Sequence, residues 1–255
     1  MMYDNIQQDL ASEKIDRRIN IDGNIVIMEY MTGTEHDVDI IIYKRQLVGA
    51  FVTDIGPPRL PRFTRVAAAL PSFLPSDKIA QLKAAAYQCC ADIGIRNGVY
   101  NVKMKMTPGG PKLVEINQRM GDFYLRDWIN AAWGVDLLLY LFMISCDVKP
   151  VLPSLKVRGH IVGVNILPSV HRAALSQPEM QNLLELLTIQ GVIRINKIEE
   201  EMGSPEDDKY DDTYCNIAVM DVDAELAQNR LIEYTTLLGL ATKDFDVPYF
   251  LKNFK

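Results

Sequence analysis

The chain has 255 residues, 48% hydrophobic and 24% charged, an ordinary globular composition whose length suits one or two domains. Its net charge is −6 with a pI near 5.2, and no basic stripe with interleaved aromatics stands out, so nothing electrostatic favours nucleic acid. The four cysteines, Cys89, Cys90, Cys146 and Cys215, show neither CxxC spacing nor a grouping with histidine. They read as reduced, mostly buried thiols of a cytoplasmic protein.

The first 24 residues are polar, and "MMYDNIQQDLASEKIDRR" lacks the apolar core of a signal peptide. A strand is predicted over "NIVIMEY" (24–30), followed by strands over "DVDIIIY" (37–43) and "LVGAFVTD" (47–54) with a short charged turn between them. "GPPRLPRF" (56–63) is not regular structure, because each proline fixes a dihedral and removes a donor. Its arginines, with Arg65, form a basic loop able to reach over a site.

A helix is predicted over 75–94, with Ser76 as N-cap and Gly94 as its stop. "GVYNVKMKM", the turn "TPGGP" and "KLVEIN" form a hairpin over 98–117, and helical pattern resumes from about Leu125 to Cys146. The run "VDLLLYLFMISC" (135–146) falls short of the ~20 residues a bilayer requires and reads as a buried helix, so no membrane role is expected. Beyond the prolines at 150 and 153, a strand is expected at 159–167, a helix near 178–189 and a strand near 192–198. An acidic loop, "GSPEDDKYDD", then leads to a strand at 215–220 and a helix at 223–238. This order predicts an α/β (α+β) chain without repeats.

The hairpin carries the chemistry. Its turn pairs 103 with 115 and 101 with 117, so Asn101, Lys103, Glu115 and Asn117 share one face and Val102, Met104, Val114 and Ile116 the other. One polar face on a hairpin is normal at a surface. Here, however, Arg119, Asp122, Arg126 and Asp127 follow directly beside Trp128 and Trp133, which is a great deal of charge against aromatic core.

"EINQRMGDFYLRDW" resembles the E-I-N-P-R-x-x-G signature of ATP-grasp ligases, and "MEYMTGTEHDVDIIIY" resembles that family's adenine hinge and following strand. "GTEHDVD", "FYLRDW", "GVDLLL" and the closing "FLKNFK" are similar to the carnosine synthase group within it, from about residue 25 to the end. The resemblance implies an ATP-grasp fold, incomplete on its N-terminal side, with a nucleotide- and metal-binding part over 25–150 and an α/β extension over 151–255. It implies that the backbone of Met28, Glu29, Tyr30 and Met31 meets the adenine and that Glu35 accepts the ribose hydroxyls. Glu115 and Asn117 would hold Mg²⁺ (or Mn²⁺) through hard oxygen atoms. Arg119 would hold phosphate or an acyl phosphate during catalysis.

The implied reaction joins β-alanine to L-histidine with ATP, through an acyl phosphate. The implied partners are small amino-acid substrates, and a homo-oligomer is compatible with them. Two features depart from the family. Lys103 stands where a second carboxylate ligand is usual, and a lysine opposite Glu115 competes with a metal for it. Gln118 and Asp122 replace a proline and a glycine. A non-catalytic homologue, with weak nucleotide binding or an interaction role, is therefore the rival reading, and Lys103 is the residue that separates the two. The three histidines, His36, His160 and His171, are not spaced as a zinc set.

Overall fold

The computed structural model describes residues 28–153, 156–198 and 212–254. Eight strands form one antiparallel sheet in the order β5-β4-β1-β2-β3-β6-β8-β7. They are β1 (Thr34–Tyr43), β2 (Gln46–Ile55), β3 (Ala67–Leu70), β4 (Gly98–Thr107), β5 (Gly110–Asn117), β6 (His160–Ile166), β7 (Arg194–Lys197) and β8 (Cys215–Asp221). The helices are α1 (Ser76–Asp92), α2 (Leu125–Trp133), α3 (Leu137–Ser145), α4 (Pro168–Leu175), α5 (Pro178–Ile189), α6 (Ala224–Leu237) and α7 (Val247–Leu251). The described residues from position 31 onward form one compact unit, and the sheet continues past position 150 without a break.

Alternation along β1 assigns its two faces. Val38, Ile40 and Ile42 point to α1, whose Leu82, Ala86 and Cys90 recur every fourth residue and are fully buried. Ile41 and Tyr43 point the other way, under α2 and α3, where they meet Trp128, Ile129 and Tyr140. A third core, around β3, β6 and β8, is closed by α4 to α7 with Leu175, Leu187, Leu231 and Phe250.

Strand and helix positions largely follow the sequence pattern, with informative exceptions. The expected strand at 24–30 lies partly outside the described residues, and Met28, Glu29 and Tyr30 have no regular structure. Ser76 is the first helical residue rather than the cap. Pro75 occupies the cap position, and no side chain caps the helix. Proline serves there because its fixed dihedral suits a helix start and it has no N–H to satisfy. The helical run 125–146 is two helices at 97°, because Gly134 turns left-handed (φ 74°) and Asp136 starts α3 by accepting from the Leu138 N–H.

Helix α3 is only half buried. Leu137, Tyr140 and Ile144 face the core while Leu138, Leu139 and Phe142 face outward. Among the described residues, no single helix is long and apolar enough to cross a membrane. Cys90 and Cys215 are buried, Cys89 is partly so and Cys146 is exposed, and all four thiols are free.

Three elements escaped the sequence pattern: β3, α4 and α7. The strand β3 is "AAAL", three alanines and a leucine, all buried, with no alternation to betray them. It matters because it joins β2 to β6 and so fuses the hairpin half of the sheet to the rest. On the other side of the hairpin half, His36 enters the α1-facing layer and is held by Asp54, Nδ1 to Oδ1 at 2.7 Å. Asp54 also accepts from the Ser72 hydroxyl and the Phe73 N–H.

Gly56 ends β2 with its N–H donating to the Ala67 carbonyl (2.9 Å). A Cβ there would overlap the Phe250 carbonyl oxygen of α7. Gly56→Ala should therefore lower stability by about 1–3 kcal/mol, the usual cost of overpacking, seen as a lower melting temperature by circular dichroism.

Candidate functional site

The polar residues of β1, β4 and β5 line up in rungs on one face of the sheet. Asp39 is opposite Asn101, which is opposite Asn117. Asp37 is opposite Lys103, which is opposite Glu115. The hairpin register read from the turn is the register observed. A bulge between Lys103 and Met104 then puts Leu113, not Val114, opposite Met104, and Leu113 is exposed. Glu35 is one rung further out, opposite Lys105, whose ammonium donates to the Met31 carbonyl at 2.9 Å.

Lys103 Nζ lies 2.5 Å from Glu115 Oε1. Asn117 Nδ2 donates to the same oxygen (3.1 Å) and reaches Asn101 Oδ1 at 3.4 Å. The Lys103 and Asn117 donors together hold the Glu115 carboxyl below its usual range. Glu115 and Asn117 thus stand side by side as expected, but the carboxylate is already neutralised. Among the described residues, no three metal-ligating side chains gather at one point. As it stands, the donor set does not fit a divalent cation, because the ammonium occupies the place where the ion's charge would act.

The strongest charge cluster is one the hairpin alone does not reveal. Arg65, at the end of the proline-rich loop, lies across β1. Its Nη1 donates to Asp37 Oδ2 (2.7 Å) and Asp122 Oδ2 (3.1 Å), and its Nη2 to Glu35 Oε1 (2.8 Å) and Asp37 Oδ1 (3.1 Å). Burial disfavours the guanidinium charge, yet Asp37, Asp122 and Glu35 outweigh it and raise the pKa. Asp37 is completely buried. Burial pushes its carboxyl up while Arg65 pulls it down, and burial prevails. Glu35, the expected ribose ligand, is thereby engaged by Arg65.

Asp39 is also fully buried. It accepts the Gly121 N–H at Oδ1 (2.8 Å), while Oδ2 has no partner among the described residues. Burial, reinforced by the Asp37 charge, pushes its pKa up to about 7. A Cβ on Gly121 would stand 2.6 Å from Leu125 Cδ1 and 2.9 Å from Asp39 Oδ2, so the close approach in this loop falls at Gly121, one residue before Asp122. Arg119 stands apart from the cluster. Its Nη1 donates to the Met120 carbonyl (2.9 Å), and its own carbonyl accepts from Asn101 N–H. Met28 and Tyr30 are exposed.

Sequence reasoning thus found the hairpin residues and missed Asp37 and Asp39. The signal was present as "EHDVD", which puts Glu35, Asp37 and Asp39 at alternate positions of a strand.

No protein-family model matches the chain. It is 41% identical to human "Carnosine synthase 1" over 256 aligned positions, covering 99% of this chain and 31% of that protein. The chicken "Carnosine synthase 1" is 43% identical over 235 positions, 91% of this chain and 25% of that one. The chain is a homologue of the carnosine synthases. It spans between a quarter and a third of the length of these curated relatives.

The fold is that of ATP-grasp ligases. N5-carboxyaminoimidazole synthase from Aspergillus clavatus, solved with ADP and 5-aminoimidazole ribonucleotide, superposes with a TM-score of 0.64 at 13% identity, over 84% of this chain and 53% of that one. The L-amino acid ligase from Bacillus licheniformis gives 0.60 at 12% identity, over 81% and 53%. These two likenesses concern the fold, whereas the carnosine synthase relationship extends to the sequence.

Arg65→Met should cost about 3–5 kcal/mol in chemical denaturation, the range for leaving buried charge unpaired, and more than Lys103→Met at the more exposed pair. For Asp39 the sign follows from its raised pKa. The folded state keeps the proton up to about pH 7 and the unfolded chain loses it near 3.8, so this group's contribution to stability falls as pH rises between those values. Asp39→Asn should remove up to about 1.4 kcal/mol per pH unit of slope in that window, measured as the difference between wild-type and variant urea curves from pH 4 to 8.

Proposed function

We propose that this chain is part of an ATP-dependent carboxylate–amine ligase of the carnosine synthase type. The observation that carries this reading is the 41% identity to a carnosine synthase across 99% of the chain. The reaction would join β-alanine to L-histidine. A carboxylate oxygen attacks the γ-phosphorus of ATP, releasing ADP and forming an acyl phosphate. The amine nitrogen then attacks the acyl carbon, loses a proton to solvent and expels phosphate.

In this reading the backbone of Met28, Glu29, Tyr30 and Met31 borders the adenine, and Glu35 exchanges Arg65 for the ribose hydroxyls. Arg119 swings from the Met120 carbonyl to the phosphoryl oxygens, for which its planar fork is suited. Asp37 and Arg65 keep β1 and the loop of Asp122 in register beneath the nucleotide. Because the donor set around Glu115 does not fit a divalent ion, no step is assigned to one.

The Lys103–Glu115 pair favours a second reading, a homologue that binds nucleotide weakly and does not turn over. Incubating the chain with ATP, Mg²⁺, β-alanine and L-histidine, and following ADP release, separates the two. Amino-acid-dependent ADP supports the ligase. Calorimetric ATP binding without turnover supports the second reading, and a folded chain with neither activity overturns both.

Lys103→Glu should raise Mg²⁺-dependent ATP affinity, by relieving a repulsion of ~1 to ~4 kcal/mol and adding an anionic oxygen. Lys103→Met should give a smaller gain, since it removes the repulsion alone. Equal affinity in all three proteins, titrated with ATP at fixed Mg²⁺, would mean that position 103 does not face the ion.

A further inference from the structure

A second polar cleft, of about 700 Å³, lies between α2, the residues leading into β6, and the edge strand β7. Asp127, Trp128 and Asn130 enter it from α2, Arg158 from the segment before β6, and Arg194 and Asn196 from alternate positions of β7. The chemistry of this set is one-sided. The Asp127 carboxylate is occupied, accepting from Asn196 Nδ2 at 2.7 Å. The Arg194 guanidinium donates to the Met220 sulfur at 3.5 Å, and among the described residues neither Arg194 nor Arg158 forms an ion pair. Trp128 is fully buried, and its Nε1–H has no acceptor among the described residues.

Arg158 and Arg194 are both exposed, and among the described residues neither is paired with a carboxylate, although the chain carries 33 acidic against 27 basic residues. Arg158 has a local reason for its position. A Cβ at Gly134 would overlap its Nη2, so the guanidinium lies over the C-terminal end of α2, where a cation is favoured by the helix dipole. Arg194 has no such reason. A ligand able only to accept hydrogen bonds, and carrying negative charge, would satisfy both, since a guanidinium fork matches carboxylate and phosphate oxygens in pairs.

We propose that the cleft formed by Arg158, Arg194, Asn130 and Trp128 binds a compact, multiply charged oxyanion, the phosphate or carboxylate groups of a small molecule, at a site separate from the polar floor of Lys103 and Glu115. The site is independent of the ligase reading.

The test is calorimetric titration of the full chain with inorganic phosphate, pyrophosphate and citrate at fixed ionic strength, with tryptophan fluorescence as a second readout. At least one of the three probes should bind saturably and change the emission. Preference for pyrophosphate over citrate would assign a phosphorylated ligand, and the reverse a polycarboxylate. Arg158→Gln and Arg194→Gln should each weaken binding at least tenfold. Arg158→Lys and Arg194→Lys, which keep the charge and lose the fork, should weaken it by a smaller factor. Thermal melts of all four variants identify any that fail to fold. Absence of saturable binding, or binding unchanged in the folded arginine variants, overturns the proposal. So does binding that Lys103→Met abolishes and the arginine variants leave intact, because the anion would then lie on the polar floor.

Discussion

One guanidinium holds three segments of this chain together. Arg65 leaves the proline-rich loop between β2 and β3, crosses β1 to Glu35 and Asp37, and reaches Asp122 in the loop between β5 and α2. Asp37 has no exposure at all, so its charge exists in the fold only because Arg65 is there to meet it. Such a pair contributes little net energy compared with apolar packing, but removing one partner leaves a buried charge uncompensated. The arrangement thus fixes register rather than adding much stability. Where Arg65 goes, the strand carrying Glu35, Asp37 and Asp39 and the loop carrying Asp122 must follow.

The same face shows charge balanced by the protein itself. Lys103 neutralises Glu115, and Arg65 is shared among Glu35, Asp37 and Asp122, while Asp39 keeps its proton to about pH 7. A floor intended for a divalent ion needs excess negative charge that the ion then compensates. Here the compensation is covalently built in. That is the physical ground on which the non-catalytic reading competes with the ligase reading, despite 41% identity to a carnosine synthase. The ancestry is plain from sequence and fold.

The expected elements and the hairpin register were legible because they depend on local rules. Alternation fixed the faces of β1 and β4, the glycine–proline turn set 103 against 115, and helical spacing placed Leu82, Ala86 and Cys90 on one stripe. Local rules failed at β3, since four buried apolar residues carry no period, and at the break between α2 and α3, where Gly134 offers a left-handed turn that the surrounding apolar run conceals.

By itself, then, the sequence determined the α/β class, the hairpin with its polar row of Asn101, Lys103, Glu115 and Asn117, and the resemblance to ATP-grasp ligases. Tertiary structure alone decided which carboxylates Arg65 would take, how far Arg119 stands from them, and that Arg158 and Arg194 share a cleft although 36 positions separate them in the chain. The reason is range. Side-chain alternation and turn chemistry act over a few residues, whereas charge pairing acts through space between segments that only the folded sheet brings together.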